Sequence, residues 1–125
     1  MKIVAVIGAS ADRSKFGNKA VRAYLQDGNT VYPVNHKETQ IEGLPVYRTL
    51  AEVPAAHLTR VSVYLPPKIG LAMLPEIVAK GCDELWLNPG SDSPELVQQA
   101  RALGLETIQA CSIVAIGVHP EAMES

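Results

Sequence analysis

Short runs of consecutive apolar residues alternate along this chain with longer stretches in which apolar positions recur every three or four residues. The runs predict strands buried on both faces, and the stretches predict amphipathic helices. Ile3 to Ile7 is rich in Val and Ile and stops at Gly8-Ala9-Ser10, so it predicts a first strand. Asn18 to Asp27 carries Ala20, Val21, Ala23, Tyr24 and Leu25 among polar residues and ends at Gly28, a natural helix stop. Thr30 to Val34 predicts a second strand that fades at Pro33, which has no N–H for a ladder. Gly43 to Tyr47 reads as an irregular connection, and Leu50 to Val53 as a short helical turn. Arg60 to Leu65 predicts a third strand, halted by Pro66-Pro67; Ile69 to Lys80 predicts a helix closed by Gly81. Glu84 to Leu87 predicts a fourth strand. Ser93 then offers an N-cap with Pro94 at the first helical position, for a helix running to Gly104. Glu106 to Ala110 predicts a fifth strand, and the tail from Ser112 to Ser125 fits strand, helix or packed coil equally.

Strand and helix repeat at intervals of about 25–30 residues, the spacing of βαβ units with right-handed crossovers. The expected fold is therefore a Rossmann-like, doubly wound, mainly parallel five-stranded sheet in three α/β/α layers. Ligands of such sheets bind outside the carboxyl ends of the strands where strand order reverses, which directs attention to the loops after strands one, three and four.

Composition narrows the function classes. With 125 residues, 47% hydrophobic and 19% charged, the chain is expected to form one domain over residues 1–125 with a real core. Eleven Lys and Arg against thirteen Asp and Glu leave a formal charge of −2, so no global positive field exists to hold nucleic acid or an anionic membrane. Any anion must be bound locally. Two cysteines make no disulfide framework, Met1-Lys2-Ile3 leads directly into a strand-like segment, and no apolar run reaches the roughly 18–20 residues of a membrane span. A reducing cytoplasm is the expectation.

Two loops carry candidate chemistry. The turn Gly8-Ala9-Ser10-Ala11-Asp12-Arg13-Ser14-Lys15-Phe16-Gly17 leads from a buried strand toward a helix, a setting whose backbone N–H groups and helix dipole suit a phosphate. Gly8 permits close approach, Ser10 adds a hydroxyl, and Arg13 and Lys15 add charge. The turn lacks the second glycine of the dinucleotide fingerprint and the Gly-Lys-Ser/Thr of a phosphate loop. At the end of the second strand, dinucleotide sites carry an Asp or Glu for the ribose 2′-hydroxyl. Asn35-His36-Lys37 stands there instead, a cation in place of a carboxylate, which favours a ribose bearing a further phosphate. NADP and coenzyme A both fit.

Ile3-Val4-Ala5-Val6-Ile7-Gly8-Ala9-Ser10, Val31-Tyr32-Pro33-Val34-Asn35, and Ile41-Glu42-Gly43-Leu44-Pro45-Val46-Tyr47 with Leu50 and Pro54 resemble the small stand-alone CoA-binding proteins. They are similar also to the amino-terminal CoA-binding domain of the succinyl-CoA synthetase alpha subunit. The resemblance continues through Leu85-Trp86-Leu87, Gly90, Ala100, Gly104 and Cys111. It implies that Gly8, Ala9 and Ser10 face the pyrophosphate with Arg13 and Lys15 nearby, and that Asn35, His36 and Lys37 serve the ribose and its 3′-phosphate. It further implies that Leu65, Pro66 and Pro67 line the adenine and pantetheine, and that Asn88 and Gly90 flank the pantetheine arm. The synthetase's phosphorylated histidine belongs to a second domain, so the resemblance does not carry ligase activity.

No catalytic set stands out. Cys111 is expected near the binding loops, where a mixed disulfide with CoA is conceivable, but an isolated Cys is ordinarily a small core residue. Cys82 and Trp86 are expected to pack, and His57 and His119 to be solvated, with no metal-ligand spacing. The expected function is binding of coenzyme A or an acyl-CoA as a carrier, sensor or regulatory module. The alternatives are an NADP-dependent reductase, which wants a Tyr-x-x-x-Lys pair or similar, and an interaction module with a silent cleft. A homodimer is an open expectation.

Overall fold

The computed structural model describes all residues 1–125. Its centre is a five-stranded, fully parallel sheet of β1 (Ile3–Ile7), β2 (Thr30–Val34), β5 (Leu58–Val63), β6 (Cys82–Leu87) and β7 (Thr107–Gln109), in the spatial order β2-β1-β5-β6-β7. A small antiparallel hairpin of β3 (Gln40–Ile41) and β4 (Leu44–Pro45) stands apart. Helices α1 (Phe16–Gln26), α2 (Pro67–Lys80), α3 (Pro94–Ala102) and α4 (Ser112–Ala115) complete the layers. This is the expected Rossmann-like α/β architecture.

Strand periodicity divides the core between the two faces. Ala5 and Ile7 of β1 join Val61, Val63, Leu85 and Leu87 in a fifteen-residue cluster under α2 and α3. The intervening Val4 and Val6 point the other way, into a ten-residue cluster with Ala20, Val21 and Tyr24 of α1 and Ile113 of α4. Both faces of β1 are dry, which explains its uninterrupted apolar run. Pro33 is accommodated within β2 because β2 is an edge strand of the main sheet.

Several boundaries differ from the sequence expectation. Helix α1 begins at Phe16 rather than Asn18, with Lys15 in the extended cap position. Strand β5 spans Leu58–Val63 rather than Arg60 to Leu65, β6 starts at Cys82, and β7 covers only Thr107–Gln109. Helix α2 starts at Pro67, which needs no intrahelical N–H partner, and runs through Pro75. Helix α3 starts as expected, with Ser93 Oγ accepting from the Leu96 N–H at 3.1 Å, but ends at Ala102. The supposed irregular connection is the β3–β4 hairpin. Its two turn residues, Glu42 (φ 50°) and Gly43 (φ 77°), both sit at positive φ, the demand of a two-residue hairpin turn; a glutamate there gives no sequence signal. The undecided tail folds as α4 followed by a 3-10 turn at Pro120–Ala122. No helix is long and apolar enough to cross a membrane.

Candidate functional site: the cleft at the strand carboxyl ends

Strand order reverses between β1, which pairs with β2 on one side, and β5 on the other. The backbone leaving β1 meets the backbone leaving β5 at this point. Gly8 lies at φ 85°, and a Cβ there would sit 2.5 Å from the Tyr64 carbonyl oxygen and 3.1 Å from Leu65 Cδ2, so only glycine fits. A second glycine, Gly17 in the first turn of α1, is equally constrained. Its missing Cβ is what lets the helix rest on the carbonyl of Gly8 and the Cα of Ala9. The sequence places Gly17 in the turn but gives no sign of this contact, which joins it to a residue nine positions away.

The two glycines bring a loop and a helix start together, with Ser10 and Phe16 reaching the surface and Ala9 and Gly17 buried. The N–H groups of Ala9, Ser10, Phe16 and Gly17 have no acceptor within the protein. Two of them begin α1, where the helix dipole favours an anion. Ser10 Oγ accepts from the Asp12 N–H at 3.0 Å, and Asp12 Oδ1 accepts from the Ser14 N–H and hydroxyl, shaping the loop. The hydroxyl of Ser14, then its N–H, holds the Asp12 carboxyl below its ordinary pKa.

A partly buried polar network fixes this loop. Arg13 Nη1 donates to Glu42 Oε1 at 2.5 Å, and Asn18 Nδ2 donates both to Glu42 Oε2 and to the Ser10 carbonyl. Arg22 Nε donates to Asn18 Oδ1 at 2.7 Å and Arg22 Nη2 to the Arg13 carbonyl at 2.8 Å. Hydrogen bonding from Asn18 outweighs the opposing effect of burial and, with help from Arg13, holds the Glu42 carboxyl below its ordinary value. The network also anchors the strained Glu42 backbone. Arg13, expected near a phosphate, is thus paired with Glu42, whereas Lys15 is exposed and free of ion pairs.

The other expected residues divide in the same way. Asn35 is turned inward: its Nδ2 donates to the Ala9 carbonyl at 2.8 Å, and its Oδ1 accepts from the N–H groups of Lys37 and Glu38. It holds the β2 exit against the Gly8 loop. His36 and Lys37 are exposed on that exit. Leu65 is half-buried beside Gly8, while Pro66 and Pro67 cap and start α2. Asn88 is buried, with Nδ2 donating to Ser62 Oγ and the Val63 carbonyl and Oδ1 accepting from the Ser112 N–H. Its amide therefore ties three elements together, and only its outer surface reaches the cleft. Gly90 occupies an open turn at φ 91°.

Beside Phe16 the cleft deepens into a cavity of about 240 Å³ between the ends of β5 and β6, Cys111 and the Pro120 turn. Its wall includes Tyr64, whose hydroxyl lies 3.3 Å from Ser112 Oγ and whose pKa is pushed up by burial. Cys111 is half-buried here, as the sequence suggested, on the same side as the binding loops. Cys82 lies at the opposite end of the sheet, and its thiol is pushed up to about 11 by burial and by Asp83 and Glu84.

An open parallel sheet with helices on both faces defines a Rossmann-like α/β protein. Comparison with known proteins narrows the class. Residues 2–117 match the CoA-binding domain family, and the chain belongs to it. It is similar to ADP-forming acetate–CoA ligase I of Archaeoglobus fulgidus, at 27% identity across 86% of this chain and 17% of the ligase. The alpha subunit of ADP-forming acetate–CoA ligase II of Pyrococcus furiosus is 27% identical across 93% of this chain and 28% of its own length. The chain thus spans less than a third of these curated relatives. Among solved structures, a conserved hypothetical protein from Pyrococcus furiosus superposes with a TM-score of 0.81 at 32% identity, covering 92% of this chain and 99% of that one.

Proposed function

We propose that the chain binds coenzyme A or an acyl-CoA and serves as a carrier, sensor or regulatory module, without a catalytic set of its own. The observation that carries this reading is the loop after β1, where two glycines gather the N–H groups of Ala9, Ser10, Phe16 and Gly17, none with a partner in the protein, beside an apolar cavity that Phe16 helps to line. Gly8, Ala9 and Ser10 take the pyrophosphate, assisted by Lys15 and by Arg13 when it leaves Glu42. His36 and Lys37 take the 3′-phosphate as exposed charges. Asn35 acts by holding that exit in place. Leu65, Pro66 and Pro67 line the adenine and upper pantetheine, and Asn88 and Gly90 shape the far side of the arm. Family membership supports the ligand; the ligases' chemistry belongs to proteins several times longer.

Thermal melts with CoA, dephospho-CoA, NADP and ATP test the proposal. A ligand at 100 times its Kd adds about 2.7 kcal/mol of stability. CoA is expected to raise the melting temperature most, dephospho-CoA less, and Lys37→Ala to erase that difference. A response confined to NADP, or no response to CoA, would reject the assignment.

A further inference from the structure

The segment after α4 is held to the domain differently from everything before it. Helix α4 closes with two backbone bonds, from the Gly117 N–H to the Val114 carbonyl at 2.9 Å and from the Val118 N–H to the Ile113 carbonyl at 3.3 Å, with Gly117 at φ 82°. Beyond them no hydrogen bond or ion pair joins residues 119–125 to the rest of the chain. The Ala122 and Met123 N–H groups bond within their own turn, and the 4.0 Å contact of His119 is to Glu121. What seats the segment is the burial of Pro120 and the half-burial of Met123 against the α1–α4 cluster. An element held by so few apolar contacts opens at a fraction of the cost of unfolding the domain.

The same segment walls the recess. Pro120 and Glu121 close one side of the cavity of about 240 Å³ that Phe16, Tyr64, Pro89 and Cys111 also line. Phe16 belongs to both regions, to the cavity as part of its wall and to the loop after β1 through an N–H without a partner. A ligand long enough to pass from that loop into the cavity therefore meets residues 119–125. The match to the CoA-binding domain family ends at residue 117, so this segment lies outside it.

We propose that residues 119–125 form a strap, hinged at Gly117 and Val118, that opens independently of the domain and gates entry to the cavity. The ligand it gates rests on the CoA reading above; the motion does not. A gate lifts for entry and for exit alike, so loosening it speeds association and dissociation together. A fixed wall, by contrast, acts on the bound ligand and changes dissociation alone.

Two readouts on the intact chain separate the strap from its ligand. The first is labelling of Cys111 by a bulky maleimide in the ligand-free protein, since Cys111 shares the cavity with Pro120. Met123→Ala removes part of the seat and is expected to raise the labelling rate about tenfold, with Met123→Leu close to wild type. Pro120→Ser loosens the same seat and should act in the same direction. Cys82, at the opposite end of the sheet, reports opening of the whole domain and should keep its rate. The second readout is stopped-flow binding of CoA, in which Met123→Ala is expected to speed association and dissociation by similar factors and to leave Kd within about twofold. An unchanged Cys111 rate in both variants, or equal acceleration at Cys82, overturns the strap. So does a faster CoA dissociation with association unchanged, the mark of a fixed wall. Absence of CoA binding to the wild type, with the Cys111 contrast intact, rejects the CoA reading and leaves the strap standing.

Discussion

On the α2–α3 face of the sheet, β5 and β6 present Val61, Val63, Leu85 and Leu87; on the α1–α4 face, the intervening positions are Arg60, Ser62, Tyr64, Glu84, Trp86 and Asn88. The first face is held by non-directional burial. The second is held by a chain of specific bonds: Arg60 Nε to Glu84 at 2.8 Å, Trp86 Nε1 to the same carboxylate oxygen, Arg60 to the Tyr24 hydroxyl, and Tyr24 to the Ser112 carbonyl. Ser62 and Ser112 share a 2.7 Å hydroxyl contact, and no buried side-chain polar atom is left without a partner. A long amphipathic helix needs only an apolar surface to rest on. A four-residue helix such as α4 buries little beyond Ile113, so hydrogen bonds that satisfy one another and reach its backbone join that burial in setting its position. The polar face therefore stations Cys111 and the chain leading to the Pro120 turn, and with them the cavity.

That contrast can be broken from either side. Leu85→Ala on the apolar face should have the largest effect, about 2–5 kcal/mol of stability in chemical denaturation, while the protein that remains folded keeps its ligand affinity. Asn88→Ala on the polar face should cost about 1–3 kcal/mol by orphaning the Ser112 N–H and the Val63 carbonyl. Unlike the leucine change, it should speed amide exchange across Ser112–Ala115 more than across α2 and α3. Uniform acceleration would mean that the polar set merely fills space.

The smallest effect belongs to the network that holds the loop after β1. Glu42→Gln should cost about 0.5–1 kcal/mol at neutral pH, since the partner Arg13 is largely exposed. Because the native carboxyl titrates below its ordinary 4.5, the contribution is present above that value and is lost as pH falls through the native pKa. Melting curves of wild type and variant should therefore converge between about pH 4.5 and the acid limit. A gap that persists in acid would assign the effect to shape rather than charge.

The alternation of runs and periodic stretches made the five strands and three main helices legible because both faces of the sheet are covered, so β1 reads as pure hydrocarbon. Ser93-Pro94 was legible for a similar reason, as capping is local chemistry. The hairpin was not: its turn puts Glu42, which carries no turn signal, at a positive φ, with Arg13 and Asn18 bonding its carboxylate from another part of the chain. Among the candidate site residues, Gly8 and its neighbours were visible from the strand-to-turn transition. The inward bonding of Asn35 and Asn88 was not, since an amide's partners come from elements far away in sequence.

Local patterning by itself determined the strand and helix alternation, the fold class and the likeness to CoA-binding domains. Those properties depend on periodicity, turn residues and short-range order. Tertiary structure alone decided that Gly17 rests on Gly8, that Arg13 is paired with Glu42, and that Cys111, Glu121 and Phe16 enclose one apolar cavity. Each of these is a contact between segments brought together only when the sheet closes at its switch point.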